Sequence, residues 1–387
     1  MNIIIKIDKP WEQEMTRMGY STEHEAFRHT VRTFLDKEHE PNLSRFEAQG
    51  GTDRAFWRKA GEAGLLGLAV TGEGDFAFYA IAAEELGRTV GSATTGSSLM
   101  ADVATFILDG HGTDAQKEKY LPGIFTGEWT QAMPLTEPNA GSDPTAITTT
   151  AIRDGDEYVI KGEKYFISNG TGANLLYVVA KTDPSARGRG MSVIIVEDGT
   201  PGLTRHKINT VGWKCGDTGA LSFDNVRVPV TNLVGKEGGA MKIMMDTFLE
   251  DRIQIAARCL GAASKALELT LEYVKERMVS GQRVIDFQNT QFMLAECKMD
   301  IAITETMVDT ALMKIRDKSF TFQDGAILKL FATQMEGRVL DKCVQLFGGA
   351  GLMDENPISR MWTAARIQRV YAGTDELQKV AIAKGML

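Results

Sequence analysis

Apolar side chains at the start of the chain recur with a helical period. Phe27, Val31, Phe34 and Leu35 fall at i, i+4, i+7 and i+8, which predicts an amphipathic helix. The same spacing runs through 76–86 and 99–108, with Gly-rich breaks between, so residues 1–130 read as an N-terminal helical domain. The period then changes. Runs 148–153 and 157–161 flank Asp154-Gly155-Asp156, a hairpin signal. Runs 176–180, 191–196 and 221–228 are short, rich in β-branched residues and bounded by Gly, Pro, Asn and Asp. Residues 131–236 are therefore expected to form a middle β domain, a small barrel or sandwich, entered through a strand at 131–135. From 237 to 387 the helical period returns, and Pro is absent after Pro229 except at Pro357. Long antiparallel helices joined by short links predict a C-terminal bundle. The fold class is mainly α with a β domain in the middle.

At 387 residues the chain is too long for one ordinary core, which agrees with two or three packed units. A net charge of −8 argues against nucleic acid as the main partner. The four cysteines, Cys215, Cys259, Cys297 and Cys343, form no C-x-x-C pair, so buried reduced thiols in a cytoplasmic protein are the expectation. The five histidines show no metal-ligand spacing, and no metal is expected. The first ten residues do not read as a leader, and no apolar run approaches the ~18 residues of a membrane span.

Five segments carry more specific information. Met133-Pro-Leu-Thr-Glu-Pro-Asn-Ala-Gly-Ser-Asp143 ends in small, turn-forming residues that let backbone N–H groups approach a ligand. Gly162-Glu-Lys-Tyr-Phe-Ile-Ser-Asn-Gly170 places an aromatic two residues before a hydroxyl. Val211-Gly-Trp-Lys-Cys-Gly-Asp-Thr-Gly219 leads into 221–229. Gln345-Leu-Phe-Gly-Gly-Ala-Gly351 and Tyr371-Ala-Gly-Thr-Asp-Glu376 follow. Each has a plain structural reading: a strand-exit turn, an alternating strand, a helix stop at a Gly pair, an N-cap at Thr374. Together and in this order, over roughly 20–387, they resemble the acyl-CoA dehydrogenase family.

The resemblance implies an N-terminal helical domain, a middle β-barrel domain and a C-terminal four-helix bundle. FAD would lie between the last two, in a homotetramer whose neighbouring subunits share each flavin's adenosine end. Met133, Leu135, Thr136, Gly141 and Ser142 would run along the isoalloxazine, with Ser142 also near the substrate. Phe166 would wall the ring, where many members carry Trp, and Ser168 would bond near its reactive nitrogen. Arg277, Phe287, Gln288, Gln345, Gly348 and Gly349 match positions that meet the cofactor, partly across a subunit boundary. Thr374 and Glu376 match a helix N-terminus over it. Ser280 stands where most members have Phe.

One departure concerns the catalytic base. Most members place a glutamate between the Tyr and Gly of the last segment, and here that residue is Ala372. A minority, including isovaleryl-CoA and long-chain types, carries the base on the first long bundle helix, directly before an Arg. That position is Asp251, before Arg252, and Glu250 is the second choice. At 100° per residue, Met245, Phe248, Leu249, Ala256 and Cys259 share one arc. Asp251 falls on its border near Met244 and Ile255, and Glu250 about 140° or more from its centre. Asp251 is thus the expected buried carboxylate, with the basicity that burial brings. It is shorter than Glu by roughly 1.5 Å, a shift that can cost ~10²-fold in rate. Arg252, inside the arc, needs an anionic partner, and the resemblance sets it against the pantetheine arm. Gly373 would leave room near the thioester carbonyl. A second departure is the short stretch 71–75, where the family has a longer loop.

The resemblance implies α,β-desaturation of an acyl-CoA or acyl-ACP, with electrons passed to an electron-transfer flavoprotein. A flavin monooxygenase or oxidase on the same fold, and a non-catalytic acyl-thioester-binding subunit, are the competing readings.

Overall fold

The computed structural model describes residues 17, 19–71, 75–90 and 103–387. Residues 72–74 of the short stretch and 99–102 of the predicted helix 99–108 lie outside them. Among the described residues, helices α1 (Thr22–Phe34), α2 (Leu43–Gln49), α3 (Arg54–Glu62), α4 (Leu68–Thr71), α5 (Ala77–Arg88), α6 (Val103–His111) and α7 (Asp114–Phe125) precede the sheet. Side-chain caps start several of them. Ser21, Asp53 and Thr113 accept from the N–H groups of His24, Phe56 and Gln116, satisfying donors that have no intrahelical partner. Val31, Phe34 and Leu35 are buried as their spacing predicts, and Phe27 is half-buried.

The middle region is one sheet with strands β1 (Gln131–Ala132), β2 (Thr150–Asp154), β3 (Glu157–Ile167), β4 (Leu175–Lys181), β5 (Met191–Glu197), β6 (Leu203–Lys207), β7 (Gly219–Pro229) and β8 (Leu233–Val234). Their order is β6-β7-β3-β2-β4-β5-β8, with β1 beside β4. Among the described residues the sheet does not close, so the expected barrel is corrected to an open, folded sheet. β2 and β4 meet at a single parallel pair, Thr150↔Lys181, and the two halves fold over each other there. One face of β4 and β5 (Leu176, Val178, Ala180, Ile194, Val196) packs on Tyr158, Ile160, Val226 and Val228. The other face (Leu175, Tyr177, Val179, Val193, Ile195) packs on Ile107, Ile124, Ile243 and Met244. Buried on both sides, these strands read as continuous apolar runs. The hairpin is as predicted, with Asp154 paired to Glu157 across Gly155-Asp156 and Gly155 at φ +63. The expected strand 131–135 shrinks to two residues, because Pro134 has no N–H for the ladder.

The C-terminal region contains three long helices, α8 (Ala240–Glu276), α9 (Gln288–Arg316) and α10 (Phe322–Phe347), closed by the shorter α11 (Pro357–Gln368) and α12 (Asp375–Lys384). α8 packs mainly on α10 and α5. Its first turns bury Ile243, Met244 and Thr247, while Met245 is 60% exposed. That corrects the apolar arc read from the sequence: the β domain takes a face one residue earlier. From Asp251 to Ala263 the helix is buried all round. An ionic network ties the helical regions together. Arg17 pairs with Asp309 (2.5 Å) and with Glu84, and Arg28 and Arg32 both pair with Glu85 (2.9 and 2.8 Å).

Candidate active site

The loop 136–143 leaves the sheet beside β3 and is fixed from beneath. Glu137 is buried and accepts from Lys164 Nζ (2.9 Å), from the Thr148 and Thr149 amides (2.6 and 3.0 Å) and from the Thr148 hydroxyl (2.8 Å). Lys164 also donates to the Leu135 carbonyl, and the Tyr165 amide to the Thr136 carbonyl. Burial pushes the Glu137 carboxyl up, but Lys164 and these donors outweigh it and hold the group at about 2. Burial brings Lys164 down to about 8 despite its partner. The pair was not singled out in the sequence. It sets the register between the 133–142 segment and the 164–168 segment. Met133, Leu135, Thr136 and Ser168 are half-buried, and Gly141 and Ser142 are exposed.

Phe166 is the clearest sign of a planar ligand at this place. It is 61% exposed and sits at φ +58, within a register shift between Lys164 and Ile167. A bulky residue in the left-handed region is strained. Here the bulge turns an apolar ring outward rather than into the core. With glycine and hydroxyl groups on the adjacent loop, these residues fit an extended heteroaromatic ring with hydrogen-bonding edges.

α8 brings a carboxylate to the same junction. Met244 and Phe248 pack with the β-domain core, and Asp251 follows Met244 by two turns, ~10 Å. Asp251 is 6% exposed, and its Oδ1 accepts from Gln254 Nε2 at 2.9 Å. No hydrogen bond to Oδ2 occurs among the described residues. Burial raises the carboxyl above the ordinary range, against the pull of Gln254, Arg258, Arg252 and Lys329. The side chain of Glu250 lies outside the described part of the molecule. Arg252 is buried, donates to the Phe322 carbonyl (3.1 Å) and lies 4.0 Å over the Phe322 ring. Its Nε has no partner, and burial brings it down to about 10, with Asp251 opposing.

The turn between α11 and α12 closes this end. Ala372 (φ +50) and Gly373 (φ +88) are both left-handed. Gln378 Nε2 donates to both carbonyls (3.0 Å each) and Lys329 Nζ to that of Gly373 (3.0 Å). Both carbonyls are thus held, while neither amide donates within the described residues. A Cβ on Gly373 would lie 2.7 Å from Gln378 Nε2. Thr374 caps α12 by accepting from the Leu377 amide (3.4 Å), and Glu376 is exposed.

The remaining predicted residues are elsewhere. Arg277, Gln288, Gln345, Gly348 and Gly349 are exposed and Phe287 is half-buried, at the opposite end of the bundle. There Tyr273 stacks on Phe347 at 4.2 Å, and the Val284 amide bonds the Arg277 carbonyl. Arg277 follows Asp251 by 26 helical positions, ~39 Å. One protomer does not bring the two groups together.

Sequence reasoning also missed a buried polar cluster below Asp251, formed by Gln254, Arg258, Cys259, Lys329, Glu336, Gln368 and Tyr371. Burial brings Lys329 down to about 8 and Glu336 up to about 7. A signal existed: Arg258 stands seven residues after Asp251, and Lys329 and Glu336 are seven apart on a helix whose Ala332, Met335 and Val339 are core residues.

Family models for the acyl-CoA dehydrogenase N-terminal, middle and C-terminal domains match residues 21–128, 132–226 and 238–387. The mouse (Mus musculus) mitochondrial long-chain specific acyl-CoA dehydrogenase is 34% identical over 392 residues, covering 98% of this chain and 91% of its own. The chain belongs to the acyl-CoA dehydrogenase family. The short-chain specific acyl-CoA dehydrogenase of Clostridium acetobutylicum is 37% identical over 371 residues, covering 93% and 97% of the two chains. The crystal structure of an acyl-CoA dehydrogenase from Geobacillus kaustophilus superposes with a TM-score of 0.92 at 37% identity, over 96% and 100% of the chains. Members of the family are FAD flavoproteins. A related glutaryl-CoA dehydrogenase from Mycobacterium smegmatis, solved in complex with FADH2, has a TM-score of 0.87 at 26% identity, over 95% of both chains. This chain is an oxidoreductase of that family.

Proposed function

We propose that the protein desaturates an acyl thioester between its α and β carbons, with Asp251 as the base. The observation that carries the assignment is the burial of Asp251 at the domain junction, with Oδ1 anchored and Oδ2 unclaimed. When bound, FAD supplies the two-electron acceptor for the β-hydride. Asp251 Oδ2 takes the α-proton, and the raised carboxyl suits that role. Gln254 fixes the orientation of the carboxylate. The free amides of Ala372 and Gly373 suit the thioester carbonyl, where charge builds as the α-proton leaves. Arg252 and Ser142 hold the carrier arm, and the buried surroundings keep water from the reacting carbons. Along the flavin, Met133, Leu135, Thr136, Gly141, Phe166 and Ser168 form the wall.

The distal residues are assigned to a second protomer. Arg277, Phe287, Gln288, Gln345, Gly348 and Gly349 hold the adenosine end of a neighbour's FAD in a homotetramer, which the ~39 Å between the two groups supports. Thr374 and Glu376 lie near the cofactor, with Thr374 acting through its helix cap. The carrier is coenzyme A or an acyl carrier protein, an electron-transfer flavoprotein takes the electrons, and the setting is cytoplasmic. Among the described residues no helix is long and apolar enough to cross a membrane.

The test is the Asp251→Asn variant, mixed anaerobically with a panel of acyl thioesters. Retained flavin absorbance with bleaching slowed at least ~10²-fold is expected. Unchanged bleaching would remove the base assignment. Fast reoxidation of the reduced flavin by air would move the reading to an oxidase or monooxygenase at the same site.

A further inference from the structure

A second charge stands on the base's own face of α8. Arg258 follows Asp251 by seven residues, which is two turns and only ~20° of rotation. Helical side chains lean toward the N-terminus, so a long side chain at 258 reaches back toward 251. Arg258 is 2% exposed. Its Nη2 donates to Gln368 Oε1 (3.0 Å) and to the Tyr371 hydroxyl, both neutral. Its Nε and Nη1 have no acceptor. The guanidinium lies 5.5 Å from the Trp213 ring and 5.7 Å from that of Tyr371. These rings and the nearby Asp251 and Glu336 answer part of its charge, but no acceptor meets Nε or Nη1.

Two carboxylates lie nearby, and neither forms an ion pair with it among the described residues. Asp251 is bonded to Gln254. Glu336 keeps its own Oε2 unpartnered, and burial leaves it only part-ionised at neutral pH. A buried guanidinium with two idle N–H groups is costly unless an anion completes it. Nε–H and Nη1 lie on different edges of the guanidinium, each edge shared with the engaged Nη2, so an incoming carboxylate meets one of the two idle groups in a charge-assisted hydrogen bond.

We propose that Arg258 binds the far end of the acyl group, and that this end carries a carboxylate: the substrate is the monothioester of an α,ω-diacid. The proposal rests on the reading that the acyl group starts at Asp251. Seven residues of helix rise ~10 Å, and the arginine reaches back over about half of it, a span that the chain of roughly a five- to seven-carbon diacid would match in length. The same cluster disfavours a plain alkyl chain, whose end would leave Nε and Nη1 of Arg258 buried without an acceptor.

The test is calorimetric binding to the holoprotein with its flavin reduced by dithionite, so that no hydride is taken and the outcome does not depend on the base. CoA monothioesters of the five-, six- and seven-carbon α,ω-diacids are compared with saturated acyl-CoAs of equal length. At least one diacid thioester is expected to bind the wild-type protein about 10-fold more tightly than its alkyl counterpart. Arg258→Met should weaken that thioester by about 30-fold or more and leave the alkyl one within about threefold. Arg258→Lys should recover part of the loss. Equal or tighter alkyl binding by the wild-type protein, or no binding of either class, overturns the proposal even if the Met variant fails to fold. So does an equal loss for both classes in a folded Met variant that keeps its flavin. Failure of the base assignment would show separately, in the oxidised Asp251→Asn experiment.

Discussion

Glu336 makes stability depend on pH in a direction opposite to that of most carboxylates. It is 3% exposed on α10, and burial raises it to about 7 from an unfolded value of 4.5. Below about pH 4.5 both folded and unfolded chains hold the proton, and the group contributes nothing to the difference. Between 4.5 and 7 the unfolded chain has released the proton and the folded chain has not, so stability falls as pH rises. Above 7 the full difference is felt. About 2.5 pH units at 1.36 kcal/mol each come to roughly 3 kcal/mol. With about 2.1 cal/mol/K per residue over 387 residues, the unfolding entropy is ~0.8 kcal/mol/K, so this corresponds to ~4 °C in Tm. Glu336→Gln keeps the shape and removes the titration. Its Tm minus that of the wild type, measured by calorimetry at pH 5 and at pH 8.5, should grow by about 3 °C toward the higher pH, because part of the difference is already present at pH 5. Two Tm profiles that run parallel would show that Glu336 is ionised in the folded chain, and the account of the cluster would be wrong.

Other consequences follow from geometry. Phe166→Ala removes the exposed ring and leaves the bulge, so FAD affinity should fall at least about 10-fold in flavin-release titrations while the apoprotein loses little stability. Gly87→Ala should lower Tm clearly, because the new Cβ would lie 2.2 Å from the Arg258 carbonyl oxygen and force α5 and α8 apart. An unchanged melting curve would contradict that close approach.

The sequence made the helix–strand–helix plan legible because its periods switch sharply and the strands carry β-branched runs. The sheet's openness was not legible, since closure depends on how β6 and β8 end and not on any strand's pattern. Asp251 is buried as its helical phase suggested, but α8 is buried all round from Asp251 to Ala263, so packing on three sides and not phase decides it. The exposure of Met245 could not be read from phase, because the β domain, not the bundle, decides which side of the first turns of α8 is covered. Nothing in the sequence analysis singled out Arg258, Lys329 or Glu336, although their neighbours on each helix are core residues. Their burial depends on three helices converging, which no single periodicity records. The same limit hid Glu137 and Lys164, which meet only when a loop crosses a strand.

The outward ring of Phe166 has a further meaning for the polypeptide's life in the cell. A chain that spends backbone strain to present a greasy plate to solvent is half of a composite body. On the proposed flavin site, FAD would cover that plate, and the molecule without it carries an adhesive patch and a strained turn. Loading is thus part of maturation, and the steady amount of intact protein should track how much vitamin-derived cofactor its host can supply.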